Sequence, residues 1–306
     1  MNAVYFTTRS GPEALVYGPA KMPGAGHGEI VVRVRAAAVT PTELQWSPTW
    51  TTKAGEPRPF PIIPGHEFSG EVHRIGPGVN DVAVGEAVFG LNDWFGDGAQ
   101  AEFCVARTVD IAPKPNSVDH VTAAGVPISA LTAWQGLAER AKLGRGERVL
   151  IHGAAGSVGH FAVQIAHGIG AKVIATASGH NLEFLRSLGA DEVIDYRARP
   201  FEDAATGVDV VFDTVGGDTL ARSWGVLRLG GRMVTTAADA EQTSEQRVKE
   251  AFFIVEPNRE QLTRISRMID SGELRVFVDV AFPLQEASQA YARKAVRGKV
   301  ILVVDR

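Results

Sequence analysis

Residues 148–178 read RVLIHGAAGSVGHFAVQIAHGIGAKVIATAS. An apolar run leads directly into a turn that holds Gly153, Gly156 and Gly159, and apolar residues then recur at helical spacing before a second apolar run closes the segment. The order of strand, glycine turn, helix and strand predicts a βαβ unit whose turn cradles a phosphate.

The glycines have separate physical roles in such a turn. Gly156 has no Cβ to keep a pyrophosphate away from the backbone, and Gly159 allows the helix to pack close to its strand. The start of the helix offers free amides and a positive dipole to an anion. Ala154 takes the place of the usual first glycine. Because glycine also occurs in ordinary turns, the flanking periodicity is what favours a dinucleotide.

The residue that follows the second strand indicates which dinucleotide binds. NAD-binding units carry Asp or Glu about 20 residues after the turn, where the carboxylate binds the ribose and would repel a 2′-phosphate. Here that position is Ser178. Ser178, His180 and Asn181 can donate hydrogen bonds to a phosphate, and Tyr196 with Arg197 can flank the adenine and add a cation. We therefore predict NADPH rather than NADH, the alternative being that His180 and Arg197 are solvated surface residues.

The composition of the 306 residues is that of a soluble globular protein, with 45% hydrophobic and 22% charged residues. The length predicts two domains, and a net charge of −4 offers no general attraction to nucleic acid or an anionic membrane. No stretch resembles a signal peptide or a membrane span, so we expect a cytoplasmic protein. Cys104 is the only cysteine, which excludes an intrachain disulfide and a cysteine-rich zinc site, and we expect it to pack as a small buried hydrophobe.

Two patterns divide the chain. Short β-type runs separated by Gly and Pro clusters predict a β-rich, barrel-like domain over residues 1–117. Helices then alternate with strands over residues 118–274, which predicts a doubly wound α/β sheet of about six strands, with FFIVEP at 252–257 as the last. The tail, residues 275–306, returns to strand and is expected to rejoin the first domain.

Seven motifs span nearly the whole chain: GEIVVRVRAAAV (28–39), PGHEFSGEV (64–72), ALTAW (130–134), HGAAGSVG (152–159), LGADEVIDY (188–196), VDVVFDTVGG (208–217) and RGKVILVV (297–304). Together they resemble the medium-chain dehydrogenase/reductase superfamily, and within it the zinc-free quinone oxidoreductase branch that includes the zeta-crystallin-like proteins. The resemblance implies a GroES-like barrel domain, a Rossmann domain and a homodimer joined through the cofactor domains.

The resemblance also implies a set of cofactor contacts. Thr132 in ALTAW resembles the threonine near the nicotinamide, and Val215 and Phe253 look like backbone contacts that flank it, although Phe253 also suits the core. Lys299 in RGKV resembles a residue close to the cofactor cleft. The residues that look like the pyrophosphate loop are Ala155, Gly156, Ser157, Val158 and Gly159.

The family resemblance raises the question of zinc. Members that oxidise alcohols are similar in their GHE motif, which here is Gly65, His66 and Glu67. Catalytic zinc needs three protein ligands and an open position. The zinc-dependent pattern has a cysteine where this chain has Thr40, and ALTAW supplies no second thiolate. We therefore expect no metal site, and we expect His66 to be a hydrogen-bonded residue under the cleft.

The candidate catalytic residues lie in the sequence TPTE, residues 40–43, where zinc-free reductases typically show Asn-Pro-x-Asp. Thr40 and Thr42 are the candidate hydrogen-bond donors to substrate. Two aromatic loops, residues 44–61 and 91–98, either wall a flat apolar substrate or serve as packed covers. The candidate pocket residues on these loops are Trp46, Trp50, Trp94 and Phe95.

The leading hypothesis is an enzyme in which NADPH delivers hydride to a quinone or an α,β-unsaturated carbonyl in the interdomain cleft. The protein would supply position, exclusion of water and a hydrogen bond to the developing oxyanion, while water delivers the final proton. A zinc-dependent alcohol dehydrogenase and a non-catalytic NADPH-binding protein are the alternatives. The predicted edge strand at residues 252–257 invites pairing with a second subunit, so we expect a homodimer.

Overall fold

The computed structural model describes residues 1–237, 240, 243–294 and 297–304. The chain divides into two compact units. The first comprises Met1–Ile128, Pro257–Gly272 and Val276–Arg306, and the second comprises Ser129–Glu256 and Glu273–Arg275.

The strands follow the alternation of apolar runs and turns along the chain. Those of the first unit are β1 (Asn2–Tyr5), β2 (Val16–Pro19), β3 (Glu29–Val39), β4 (Glu67–Ile75), β5 (Ala87–Leu91), β6 (Phe103–Arg107), β7 (Ile111–Pro113), β13 (Val278–Pro283) and β14 (Lys299–Val303). Those of the second unit are β8 (Arg148–Ile151), β9 (Lys172–Ala177), β10 (Glu192–Asp195), β11 (Val208–Asp213) and β12 (Leu227–Thr235).

The helices are short, and several are bounded by side-chain caps or by glycine. Asp119 accepts a hydrogen bond from the backbone of Thr122, and Asn258 accepts one from Gln261, so each caps the helix that follows it. The α-helices are α1 (Ser47–Trp50), α2 (His120–Ala124), α3 (Pro127–Trp134), α4 (Gly159–Ile169), α5 (Leu182–Ser187), α6 (Gly217–Ser223), α7 (Gln246–Ala251), α8 (Arg259–Asp270) and α9 (Ala287–Ala292), and a π-helical segment, Gln135–Arg140, continues α3.

The first unit is built around a seven-stranded sheet in the order β13-β14-β3-β4-β5-β7, with β6 also paired to β3. Strand β3 is its centre: it pairs antiparallel with β4, with β6 along its first half and with β14 along its second half. Its Val and Ala side chains are almost all buried, which suits β-branched and small residues between two covered faces. The end of β3 therefore lies beside the starts of β4 and β14.

Helix α8 belongs to the first unit, although the sequence placed it in the cofactor domain at 118–274. The Ser266 hydroxyl donates to the carbonyl of Pro113 at the end of β7, and Arg259 donates to the carbonyl of Thr108. The Asp270 carboxylate accepts from the backbone of Ser117. A helix pattern in the sequence does not reveal which sheet the apolar face covers, and these contacts decide it.

The second unit has a parallel five-stranded sheet in the order β10-β9-β8-β11-β12. The chain starts at the central strand, winds to one edge through β9 and β10, and then returns to the other side of β8 through β11 and β12. This is the doubly wound Rossmann order, with the switch point between β8 and β11. Buried residues such as Leu150, Ile174, Val211 and Met233 form its core.

The predicted sixth strand, FFIVEP, does not form within the described residues. Phe252 makes a single bridge to Thr235. Further on, the Gln135 side chain donates to the carbonyl of Glu256 and accepts from its N–H. A side-chain amide thus satisfies both backbone groups of Glu256, while Phe253 and Val255 are buried and Ile254 is exposed.

Candidate functional site

The switch point of the second unit brings together the ends of β8 and β11. His152 and the glycine turn follow β8, and Thr214 follows β11. The Thr214 hydroxyl donates to the carbonyl of His152 at 2.9 Å, which ties the two loops together. Open α/β sheets bind ligands outside the carboxyl ends of their strands at such a point.

The glycine turn is shaped by close backbone approaches. Gly153 adopts a positive φ of 67°. A Cβ on Gly159 would lie 2.2 Å from the Gly153 carbonyl oxygen and 2.6 Å from the Cα of Ala154, so only glycine fits at the start of α4. Gly156 is exposed, so its backbone is open to a ligand.

Two amides of this turn are available to an anion. The N–H groups of Ser157 and Val158 make no hydrogen bond with any part of the chain that the structure describes. They immediately precede the eleven-residue helix α4, whose dipole adds positive potential at this end. Ala155 is buried behind them. The turn therefore offers the amides and the dipole that a pyrophosphate needs, and the assignment of these residues to a dinucleotide stays a prediction.

The side chains that follow β9 converge on one another. The Ser178 hydroxyl lies 3.4 Å from Nε2 of His180, and Nδ2 of Asn181 lies 3.4 Å from the same hydroxyl and 3.3 Å from His180 Nε2. Ser178 and Asn181 are buried, whereas His180 is exposed. The structure thus gathers three of the predicted adenosine-end residues.

The other two predicted adenosine-end residues follow β10 and come with an acid that sequence reasoning missed. Tyr196 and Arg197 are both exposed, and the Arg197 guanidinium lies 5.7 Å from the centre of the Tyr196 ring. Asp195 accepts a hydrogen bond from the backbone of Arg197, and a Cβ on Gly179 would lie 2.7 Å from its second oxygen. One carboxylate therefore stands beside the Ser178 turn, even though none stands within it.

The three residues that the family resemblance assigned to the nicotinamide end, Thr132, Val215 and Phe253, differ in their exposure. Val215 is 54% exposed, and its N–H is held by the buried Asp213 carboxylate. Phe253 is buried with the Arg140 guanidinium over its ring, and its N–H donates to the carbonyl of Thr235. Thr132 is buried on α3. The Val215 side chain is thus accessible to a ligand, whereas the Phe253 side chain is packed in the interior of the second unit.

In the first unit, the ends of three strands bring Thr40, Glu67 and Lys299 together. Val300 pairs with Val39 across β14 and β3, so Lys299 stands opposite Thr40. The Lys299 ammonium donates to the Thr40 hydroxyl at 2.7 Å and forms an ion pair with Glu67. Both charged side chains are buried. Thr42, the second predicted donor, is exposed on the turn that follows and does not join this cluster.

A second buried pair lies next to the first. The Glu43 carboxylate accepts a hydrogen bond from the backbone of Gly65 at 2.7 Å and lies 2.7 Å from Nδ1 of His66. Gly65 has a φ of 85°, and a Cβ there would press on Gln100. The Nε2 atom of His66 is buried with no hydrogen-bond partner among the described residues. His66 is therefore hydrogen-bonded, as expected from the sequence, and its partner is Glu43.

Sequence reasoning did not assign a role to Glu43 or Glu67. Burial raises the pKa of the Tyr291 phenol, the charge of Glu43 raises it further, and the Tyr291 hydroxyl accepts a hydrogen bond from the Gln100 amide. The sequence did contain a signal for these two residues: Glu43 follows Thr42 in TPTE, and Glu67 follows His66 in GHE. Acidic residues are rarely buried unless they are paired, so the two buried acids Glu43 and Glu67 require partners nearby.

The aromatic loops separate into two environments. Trp94 meets the edge of Trp46, with ring centres 5.5 Å apart, and lies 5.4 Å from the ring of His66. Trp50 is only 5% exposed and packs against Phe6 in a small core cluster. Its assignment to the pocket was therefore wrong: an apolar side chain whose N–H is satisfied by the Leu44 carbonyl has been used for packing.

Phe95, the fourth candidate, is half-buried and lies under the ammonium of Lys53, which also pairs with Asp93. The loop at 91–98 thus presents Trp94 towards His66 and holds Phe95 beneath a surface ion pair. Of the four candidates on these loops, Trp94 contacts His66 in the polar cluster and Trp46 contacts Trp94.

The polar cluster is a poor match for a catalytic zinc. Within the described ranges there is no group of three or more His, Cys, Asp or Glu side chains placed to hold a metal. Glu67 carries an ammonium partner, and an adjacent positive charge opposes a second cation. Cys104 is packed in the hydrophobic core of the first unit, where burial raises the pKa of its thiol to about 12.

Comparisons with known proteins extend over the whole chain. Residues 26–116 match the alcohol dehydrogenase GroES-like domain family, and residues 188–302 match the family described as zinc-binding dehydrogenase. The quinone oxidoreductase of Coxiella burnetii, a solved structure, superimposes with a TM-score of 0.91 at 30% identity, covering 100% of this chain and 99% of that one.

Two curated relatives show the same similarity. A probable zinc-binding oxidoreductase of Arthroderma benhamiae is 31% identical over 94% of this chain and 91% of its own length. An NADPH-dependent alkenal/one oxidoreductase of Arabidopsis thaliana is 31% identical over 89% of this chain and 70% of its own length.

The chain belongs to the medium-chain dehydrogenase/reductase superfamily. Within it the chain falls in the quinone oxidoreductase branch, and it is an oxidoreductase that uses a nicotinamide cofactor. The GroES-like and Rossmann architecture predicted from the sequence is confirmed. No helix in the described part of the chain has the length and apolar character needed to cross a membrane.

Proposed function

We propose that this protein is a zinc-independent reductase that uses NADPH to reduce a quinone or an α,β-unsaturated carbonyl compound. The observation that carries the proposal is the hydrogen bond at the end of β3, where the Lys299 ammonium donates to the Thr40 hydroxyl. Such a pair can stabilise a developing oxyanion without a metal. The relatives named for quinone and alkenal reduction support the acceptor class.

The chain's own residues have three tasks in this reaction. NADPH, when bound, supplies the hydride. The turn at 153–159 holds the pyrophosphate through its amides, which fixes the cofactor along the strand ends. Thr40 donates a hydrogen bond to the carbonyl oxygen of the acceptor as negative charge develops there, and Trp46 with Trp94 supplies flat apolar surface. Water delivers the final proton, since the reaction needs no strong acid.

The preference for NADPH rests on the residues around Ser178. Hydroxyl, amide and imidazole groups can donate to a 2′-phosphate, and Arg197 adds a positive charge. The negative charge of Asp195 disfavours a phosphate here, so we expect the positive charge of Arg197 to be needed for NADPH binding. Replacement of Arg197 by Ala should weaken NADPH binding about tenfold and leave NADH binding unchanged, as measured by calorimetric titration.

The control for this measurement is Arg199→Ala. Arg199 lies on the same loop but pairs with Glu192, so its loss should alter neither affinity. An equal loss of NADPH and NADH binding in the Arg197 variant would place Arg197 outside the phosphate site.

The acceptor class is tested by steady-state assay of purified protein with NADPH and with NADH, against a panel of quinones, enals, enones and alcohols. We expect NADPH-dependent reduction of quinones or enones, with activity unchanged after treatment with a zinc chelator. Turnover of an alcohol pair that depends on stoichiometric zinc would instead identify an alcohol dehydrogenase. Tight NADPH binding without turnover would identify a non-catalytic binding protein.

We also propose that the protein forms a homodimer through its cofactor units. Strand β12 lies at one end of the described parallel sheet, and Leu229 on it is 99% exposed. An edge strand with an exposed apolar residue favours pairing with another copy. Sedimentation should show a dimer that Leu229→Lys converts to monomer, and a monomeric wild-type protein at micromolar concentration would contradict this.

A further inference from the structure

Lys299 is a buried cation whose position is set by two partners. Its side chain is 4% exposed, and its ammonium touches the Glu67 carboxylate and donates to the Thr40 hydroxyl. The second oxygen of Glu67 accepts from the backbone N–H of Ile128 at 2.9 Å. Burying a charge is costly unless it is paired and hydrogen-bonded, and both conditions are met here.

The direction of the hydrogen bond matters for Thr40. An ammonium has donors only, so the Thr40 oxygen accepts from Lys299 and its own proton must point elsewhere. That proton is donated to Oε1 of Glu67 over a long 3.4 Å. A hydroxyl that accepts a charge-assisted hydrogen bond is a stronger donor, because linked hydrogen bonds polarise one another. Thr40 is half-exposed, so a ligand oxygen can reach this hydroxyl and take its proton in place of the long bond to Glu67.

We propose that Lys299 is a positioning residue that acts through Thr40. Its ammonium orients and polarises the Thr40 hydroxyl, which then donates to the oxyanion of the acceptor, and Glu67 holds the ammonium in place. This inference rests on the proposed function, and it departs from the cofactor contact that the family resemblance implied for Lys299.

The step balances without a further reactant. For an enone, hydride adds to the β-carbon, the C=C electron pair shifts towards the carbonyl oxygen, and an enolate forms as NADPH becomes NADP⁺. The enolate then takes a proton from water at the α-carbon. Thr40 and Lys299 keep their protons throughout, since they contribute hydrogen bonds only.

The test separates polarisation of Thr40 from simple neutralisation of Glu67. Lys299→Met alone leaves a buried carboxylate without its partner, so it should lower both stability and kcat. The double variant Glu67→Gln/Lys299→Met removes both charges. We expect the double variant to regain wild-type thermal stability, while its kcat with an enone stays about 10- to 100-fold below wild type and its NADPH affinity stays within about twofold.

A second readout tests the path through Thr40. In a Thr40→Val background, the two substitutions should cause no further loss of kcat, because the hydroxyl on which Lys299 acts is gone. Lys294→Met is the matched control: this lysine is exposed on the same segment, and its loss should change neither stability nor kcat.

Each result bears on the proposal. Recovery of wild-type kcat in the double variant would show that Lys299 only neutralises Glu67. A raised NADPH dissociation constant with unchanged kcat would show that Lys299 contacts the cofactor, and additive losses in the Thr40→Val background would exclude action through Thr40. Each of these overturns the inference alone, whereas a wild-type protein inactive with every quinone and enone overturns the proposed function as well.

Discussion

His152 should make the protein less stable as the pH falls from 7 to 5. The side chain is buried at the end of β8, with Nδ1 2.9 Å from the Thr176 hydroxyl and Nε2 2.9 Å from the Ser223 hydroxyl. Burial lowers its pKa from 6.5 to about 4; Glu202 acts to raise that pKa and Arg222 to lower it further. The folded state therefore holds His152 neutral over a range in which the unfolded chain protonates it.

The size of the effect follows from linkage. Stability from the neutral His152 is complete above pH 6.5 and is lost as the pH falls towards 4, because the unfolded state binds the extra proton. Each pKa unit is worth about 1.4 kcal/mol, so the full shift amounts to about 3 kcal/mol, of which about 2 kcal/mol is lost between pH 7 and pH 5. Most carboxylates titrate below this window, although the half-buried His120, whose pKa is also lowered by burial, contributes in the same direction.

The assay is urea unfolding followed by far-UV circular dichroism at pH 7 and pH 5, with wild type and His152→Gln compared. The amide can keep hydrogen bonds to the two hydroxyls and does not titrate. We expect the difference between the two pH values to shrink by about 2 kcal/mol in the variant. His27→Gln, at an exposed position of the first unit, should retain the wild-type difference. An unchanged pH dependence in His152→Gln would refute the reasoning.

Three further predictions concern the site and its surroundings. Gly159→Ala should abolish measurable NADPH binding in a calorimetric titration, because its Cβ would meet the preceding turn at 2.2 Å, whereas Gly168→Ala on the same helix meets nothing and should bind normally. Trp94→Ala should raise the acceptor KM several-fold with the melting temperature kept, whereas Trp50→Ala should lower the free energy of unfolding by about 3 kcal/mol; the opposite pattern would reverse the assignment. Cys104 should resist thiol reagents in the native protein and react only on unfolding, and rapid native labelling would contradict its burial.

Periodicity and turn chemistry were enough to predict the Rossmann unit. The glycine turn, its flanking strand and its helix are local in sequence, and the steric reason for Gly159 acts over six residues. The pattern at FFIVEP was misleading because apolar residue types do not show which groups take the backbone hydrogen bonds, and the Gln135 side chain takes those of Glu256. Trp50 was misplaced for a related reason: residue type alone does not separate a pocket wall from a core.

The sequence by itself determined the family, the fold class and the position of the glycine turn that we propose binds a phosphate, since each rests on motifs whose residues are near one another in the chain. Only the tertiary structure decided what surrounds Thr40. Strands β3, β4 and β14 are far apart in sequence, and their register brings Thr40, Glu67 and Lys299 to one sheet end. Whether a buried lysine neutralises an acid or contacts a cofactor depends on which groups lie within 3 Å of it, and sheet pairing sets those distances.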